Sequence, residues 1–144
     1  MEPAEIVRIF YEEIISCNAL QRAPEFIAPD CRLRIGRQTI LIGAEGMAEH
    51  IAATKQTYPD YHIKILRQFC DGEYVVSECV MQGTHAGEWL GIRPSGKKLS
   101  ILAVNIDRIQ NGKIVEHGGA ANTFETLWEA GLIGAKESDS GAGG

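Results

Sequence analysis

Between Tyr74 and Asn122 the apolar residues gather in three consecutive strand-length runs, with turn residues between them to pair them. Residues 74–85 and 100–109 are rich in β-branched and aromatic side chains and are separated by a loop ending in Pro94-Ser95-Gly96. Asn111-Gly112 then divides the second run from a third beginning at Lys113. That dipeptide between apolar runs predicts a tight hairpin, because a type I′ turn needs positive φ at both central residues. Upstream, the pattern changes. Ile6, Ile9, Phe10, Ile14 and Cys17 recur at helical spacing, Glu12 and Glu13 lie opposite, and Pro3 suits a first turn, so a helix is expected over 3–18. A short helix is expected over 22–29, closed by Pro29. Strands follow at 31–35 and 39–42 around a turn at 36–38. Residues 43–57 carry Met47 and Ile51 on one helical face and stop before Pro59. A strand over 61–69 leads through Asp71-Gly72 into the first long run, and 123–131 reads as a last helix with Phe124, Leu127 and Trp128 on one side and Gly131 as its stop. Helices followed by a run of strands predict an α+β fold in which a curved antiparallel sheet wraps the N-terminal helices.

The 144 residues suffice for one domain with its own core, here expected over 1–134, while 135–144 is glycine-rich and acidic and reads as a flexible tail. Scattered Lys and Arg and a formal net charge of −5 exclude a phosphate-backbone binder, so no nucleic-acid partner is expected. No basic leader or long apolar run appears. A cytoplasmic location with no membrane partner is the corresponding expectation. Cys17, Cys31, Cys70 and Cys79 have neither Cys-x-x-Cys spacing nor histidines at zinc-ligand spacing, so they read as reduced thiols and no metal is expected.

The stretch from Gly83 to Lys97, with His-x-Gly-x-x-x-Gly-x-x-Pro starting at His85, resembles the SnoaL-like polyketide cyclase family. So do residues 104–117, with Arg108-Ile109 before Gly112-Lys113-Ile114, and the leucine-bounded ending at 127–132. The resemblance covers most of residues 4–134. It implies an NTF2-like cone-shaped sheet, a homodimer, and a cavity for a small hydrophobic molecule. For an enzyme it implies ring closure by intramolecular aldol chemistry with no cofactor. In that family an aspartate and a supporting histidine handle the proton. By hairpin register the histidine position falls on Asn105, the aspartate position on Gly119, and a further acidic position on Asn122, none of which can move a proton.

Acid/base chemistry must then come from other residues. Asp107 shares strand parity with Ala103 and Asn105, and a burial-raised pKa would suit it as a substitute carboxylate. It could equally be solvated near the turn or paired with Arg108 or Lys113. His117 shares parity with Gly119, and its titration range suits a general base. His85, at the edge of the loop, is a third candidate. Asn105, Gly119, Asn122 and Trp89 are expected at the ligand. Gly118 and Gly119 are expected to make space in the cone, and Trp89, Leu90 and Ile92 in the 87–96 loop to cover the cavity mouth. Three functions remain open on the sequence: a cofactor-independent cyclase or isomerase, a carrier or sensor of an apolar ligand, and an epoxide-hydrolase-like enzyme.

Overall fold

The computed structural model describes residues 1–135; the tail expected over 135–144 falls, from 136 onward, outside the described residues. Helix α1 (Pro3–Ile9) runs directly into a π-helical segment, Phe10–Ile15, and a 3₁₀ segment, Leu20–Glu25. Strands β1 (Ile27–Ile35) and β2 (Gln38–Leu41) form a hairpin before α2 (Gly43–Thr57). Four strands follow: β3 (His62–Asp71), β4 (Tyr74–Thr84), β5 (Lys98–Gln110) and β6 (Lys113–Ala121). Helix α3 (Thr123–Glu129) ends the described chain. Among the described residues no helix is long and apolar enough to cross a membrane.

All six strands join one curved, unclosed sheet in the order β2-β1-β6-β5-β4-β3. The sheet is mixed and not wholly antiparallel, because β1 runs parallel to β6. This is a correction to the expected antiparallel sheet, and its reason is the long return of the chain: the two strands are joined through the whole β2–β5 segment, a connection that no local turn signal reports. Pro29 also departs from expectation. It lies inside β1 and ends no helix, and the β1–β6 register shifts between Ile27 and Arg32, where the absent proline N–H needs no ladder partner. The Asn111-Gly112 turn has φ of 52° and 76°, as a type I′ hairpin demands.

Along β5 the inward positions Leu99, Ile101, Ala103, Asp107 and Ile109 are buried, and Leu102, Val104 and Ile106 between them are exposed. The inward face packs on the first helix, where Val7, Phe10, Tyr11, Ile14 and Ile15 are all buried, and on Met47 and Ile51 of α2. The π turn is held by Ser16, whose N–H and hydroxyl both donate to the carbonyl of Tyr11 (3.3 and 2.8 Å). Glu12, expected on the solvent side, accepts the N–H of Ile65 (2.9 Å) at an irregularity in the β3–β4 register, so it ties the helix to the sheet. On α3 only Leu127 is buried, while Phe124 and Trp128 stack on each other at the surface.

Of the two uses expected for the space at Gly118 and Gly119, ligand or side chains, the structure shows the second: it admits neighbouring side chains and backbone. A Cβ on Gly119 would lie 2.4 Å from the carbonyl oxygen of Val104 and 2.2 Å from Oδ1 of Asn105, and one on Gly118 would meet Arg34 at 2.7 Å. These glycines permit close approach of neighbouring strands. Gly119→Ala is therefore expected to destabilise the fold by about 2 kcal/mol or more through overpacking against backbone, and Gly119→Asp by more. Thermal unfolding of both variants checks this, and an unchanged melting temperature would show that β6 yields at no cost.

Candidate functional site

The concave face of the sheet and the two long helical segments enclose a cavity of about 320 Å³, mostly apolar, with walls including Phe10, Met47, Ile51, Ile63, Leu99 and Ile101. That size and lining suit a small hydrophobic molecule held by few polar groups. Asn105, Gly119 and Trp89 line it, as the sequence suggests. His117 lines it from β6, and the β5–β6 register makes Asp107 its cross-strand partner. Asn105 and Gly119 are partners in the same ladder, two residues away on the same face. The only irregularity in this pairing falls between Arg108 and Ile109, on the turn side, so the parity from 103 to 107 is preserved.

Asp107 is neither solvated nor paired with Arg108 or Lys113. It is fully buried, with Oδ1 2.6 Å from Nδ1 of His117 and Oδ2 accepting a hydrogen bond from the Tyr11 hydroxyl. Arg108 turns instead to Glu73 (2.8 Å), and Lys113 to the carbonyl of Pro24 (2.8 Å). Because a carboxylate only accepts, the His117 proton sits on Nδ1, which leaves Nε2 as the nitrogen available to a ligand. Burial pushes the His117 pKa down, but the charge of Asp107 and its hydrogen bond outweigh that and hold it above the ordinary value, with Arg34 opposing weakly. The Tyr11 pKa is driven well above the phenol range, by burial first and then by the Asp107 charge. Tyr11 therefore stays protonated and serves Asp107 as a permanent donor.

Two residues of this site escape the sequence reading. Tyr11 follows Val7 and precedes Ile15 by one helical turn each, and a phenol on a buried helical face needs a hydrogen-bond partner; that spacing was the signal. His50 stands on the Met47–Ile51 face of α2 and lines the cavity. Its imidazole is held below its ordinary pKa, by burial and then by the positive charge of His117, so it remains the neutral member of the pair.

The other candidates are dispersed. His85 is fully buried but lies outside the cavity lining, beneath the 87–96 loop, with Nδ1 2.9 Å from Oγ of Ser95. It does not meet the Asp107–His117 pair, because it sits at the far end of β4, beside the start of β5. Asn122 is exposed at the head of α3, donates to Glu125 (2.8 Å) and is absent from the lining. Leu90 does not cover the cavity: at φ of 54° in the Trp89–Ile92 turn it points outward, 67% exposed, while Trp89 faces inward. Among the described residues no three His, Cys, Asp or Glu side chains group as a metal site would require.

The SnoaL-like polyketide cyclase family matches residues 5–128. In the solved structures, the chain is similar to IdmH, a candidate polyketide cyclase from Streptomyces antibioticus, at 24% identity and a TM-score of 0.79, covering 92% of this chain and 100% of that one. A candidate polyketide cyclase from Acidithiobacillus ferrooxidans gives 18% identity and 0.78 over 92% and 97%. A SnoaL-like polyketide cyclase from Agrobacterium tumefaciens gives 12% and 0.78 over 90% and 98%. At these identities the solved structures establish the fold alone. Comparison with curated proteins finds no match.

The buried pair fixes a pH dependence. Because the folded-state pKa of His117 lies above its unfolded value near 6.5, the stabilisation from the charged imidazole is fully present below about pH 6.5 and is lost as pH rises through the folded value. In Asp107→Asn the opposing effect of burial remains and its counter-charge is gone, so the His117 titration followed by NMR should move to lower pH. The stability difference from wild type should be larger at pH 6 than at pH 9. An unmoved titration would mean that Asp107 does not set the charge of His117.

Proposed function

The chain belongs to the SnoaL-like polyketide cyclase family, and from that membership we propose that it is a cofactor-independent acid/base enzyme acting on a small hydrophobic carbonyl compound, with His117 as the base. The observation that carries this reading is the buried Tyr11–Asp107–His117 chain at the wall of an apolar cavity. Burying a carboxylate is costly unless it is paired and hydrogen-bonded. A carrier of apolar ligands gains nothing from holding one behind a cavity-lining imidazole, whereas a base does.

In this mechanism Nε2 of His117 takes a proton from carbon adjacent to a carbonyl, and Asp107 stabilises the imidazolium. Asn105, which lines the same wall, offers a carboxamide N–H to the enolate oxygen. The carbanion attacks a second carbonyl carbon of the same molecule, and the resulting alkoxide takes the proton back from Nε2. Relative to the family pattern, the acid/base pair has moved one inward-facing rung along the hairpin and exchanged strands: carboxylate on β5, imidazole on β6. The four cysteines are all unpaired, which supports a reducing, cytoplasmic setting.

Exchange of the α-protons of 2-tetralone in heavy water tests the proton step directly. His117→Ala should slow it by about 10²- to 10⁴-fold, and the wild-type rate should rise with pH through the His117 titration. Ketone binding by the wild type without exchange would overturn the enzyme reading in favour of a carrier. An epoxide-hydrolase-like enzyme would instead open a hydrophobic epoxide with the exchange absent.

We also propose a homodimer through the outer face of β4 and β5. Leu102, Val104 and Ile106 are 43%, 42% and 36% exposed, and half-buried Val76 and Val80 flank them across the ladder, so a continuous apolar strip faces outward. Light scattering should give twice the chain mass at micromolar concentration and the chain mass for Val104→Glu. A monomeric wild type would reject the sheet-to-sheet dimer.

A further inference from the structure

Three rings cluster at the end of the cavity away from His117, two of them in its wall and the third, His85, outside its lining. Tyr58, at the end of α2, and Trp89, in the loop after β4, both line the cavity, and their rings meet edge-on at 5.4 Å. His85 packs against both, at 6.0 Å from Tyr58 and 6.3 Å from Trp89. Backbone bonds fasten the group: Ala86 and Gly87 donate to the carbonyl of Thr57 (2.9 and 3.0 Å), and His85 exchanges bonds with Lys97 and Gly96 (2.8 and 2.9 Å). Two glycines let it close this tightly, since a Cβ on Gly83 would lie 2.8 Å from Cβ of Tyr58 and one on Gly87 2.8 Å from the carbonyl oxygen of Gln56.

Within this box two polar atoms are buried and, among the described residues, have no hydrogen-bond partner: the Tyr58 hydroxyl and Nε2 of His85. The His85 tautomer follows from its other nitrogen. Nδ1 accepts the backbone N–H of Ser95 (3.3 Å), so the neutral ring carries its proton on Nε2, a donor with nothing to receive it. Burial pushes the Tyr58 hydroxyl up to about 12, so it too keeps its proton. Leaving a buried donor without a partner costs more than an ordinary hydrogen bond gains, so the Tyr58 hydroxyl at the cavity wall is a standing demand for an acceptor.

The geometry points to a second polar subsite here, in which the Tyr58 hydroxyl, the unpartnered donor whose residue lines the cavity, receives a carbonyl oxygen of the ligand at the end opposite His117. This rests on the proposed reading of the cavity as a substrate site and adds a requirement to it. Leu99, in the Tyr58 cluster, and Asn105, beside His117, are six residues apart on β5, about 20 Å along a strand. The ligand class is therefore an elongated, mostly apolar molecule with oxygen functions toward both ends, one worked on by His117 and the other held by Tyr58.

The test uses a matched pair of probes, 2-acetylnaphthalene and 2-isopropylnaphthalene, which differ in shape very little and in the presence of a carbonyl oxygen. Binding is read from quenching of Trp89 in a Trp128→Phe background, since the chain has two tryptophans. Tyr58→Phe should weaken the ketone by about three- to tenfold and leave the hydrocarbon unchanged, while the melting temperature of the free protein stays equal or rises. Equal weakening of both probes would overturn the subsite, because Tyr58 would then be apolar wall only. A fall in melting temperature with unchanged ketone affinity would also overturn it, because the hydroxyl would already be satisfied internally. Neither readout involves proton exchange, so the absence of α-proton exchange by the wild type would leave this result standing.

Discussion

A carboxylate at zero exposure is the constraint around which the interior is arranged. Asp107 sits in a β5 position where its neighbours on the same face are Asn105 and Ile109, and such a charge is tolerated only if its oxygens find donors. The donors come from opposite ends of the chain. Tyr11 reaches it from the first helix, 96 residues away in sequence, and His117 from the adjoining strand. The π segment that places Phe10, Tyr11, Ile14 and Ile15 all inward follows from this demand, as does the unbroken β5–β6 register from 103 to 107. π segments cluster at functional sites, and here the local reason is visible. If either donor were lost, one carboxylate oxygen would be left in a low-dielectric interior without its partner.

What the sequence discloses and what it hides divide along a physical line. Local chemistry is legible. The Asn111-Gly112 turn fixes the first rungs of the hairpin, 110 with 113 and 109 with 114, because turn geometry sets register; the irregularity between Arg108 and Ile109 then moves the later rungs by one residue, to 107 with 117 and 105 with 119. Helix α2 has the bounds that its periodicity and Pro59 predict. Long-range pairing is not legible. Nothing near Cys31 states that β1 will lie parallel to β6, and nothing near Asp107 states that a tyrosine from the first helix will meet it. Position-by-position transfer from the family also has a limit: it locates Asn105 and Gly119 but is blind to a pair displaced by one rung, since both placements satisfy the same alternation. The glycines stay ambiguous for a related reason. A glycine in a strand reads equally as room for a ligand or as contact too close for a side chain, and only the 2.4 Å approach to Val104 decides between them.

The cavity thus has an asymmetric electrostatic character. At one end an imidazole is biased toward its charged form by a buried anion, with His50 opposite it held neutral. At the other, the Tyr58 hydroxyl stands as a neutral donor among aromatic rings. Apolar side chains separate the ends, so a ligand can be oriented by the difference between them, charge-responsive against purely dipolar, without a long list of specific contacts. This division suits chemistry on one end of a molecule that must not run in reverse orientation.

The wide sequence separation of Tyr11, Asp107 and His117 has a consequence for how the protein comes into being. The π-helical segment that carries Tyr11 is made early, yet the carboxylate that this tyrosine serves arrives only with β5, and the histidine and the parallel partner of β1 only with β6. Until then β1 has an unpaired edge and the helix has an unpartnered phenol. Non-local pairings of this kind close late and slowly, because the loop entropy is lost before the contacts repay it. The nascent chain therefore carries an exposed strand edge through most of synthesis, and the last strand both closes that edge and completes the site, so that a chain truncated before β6 has neither.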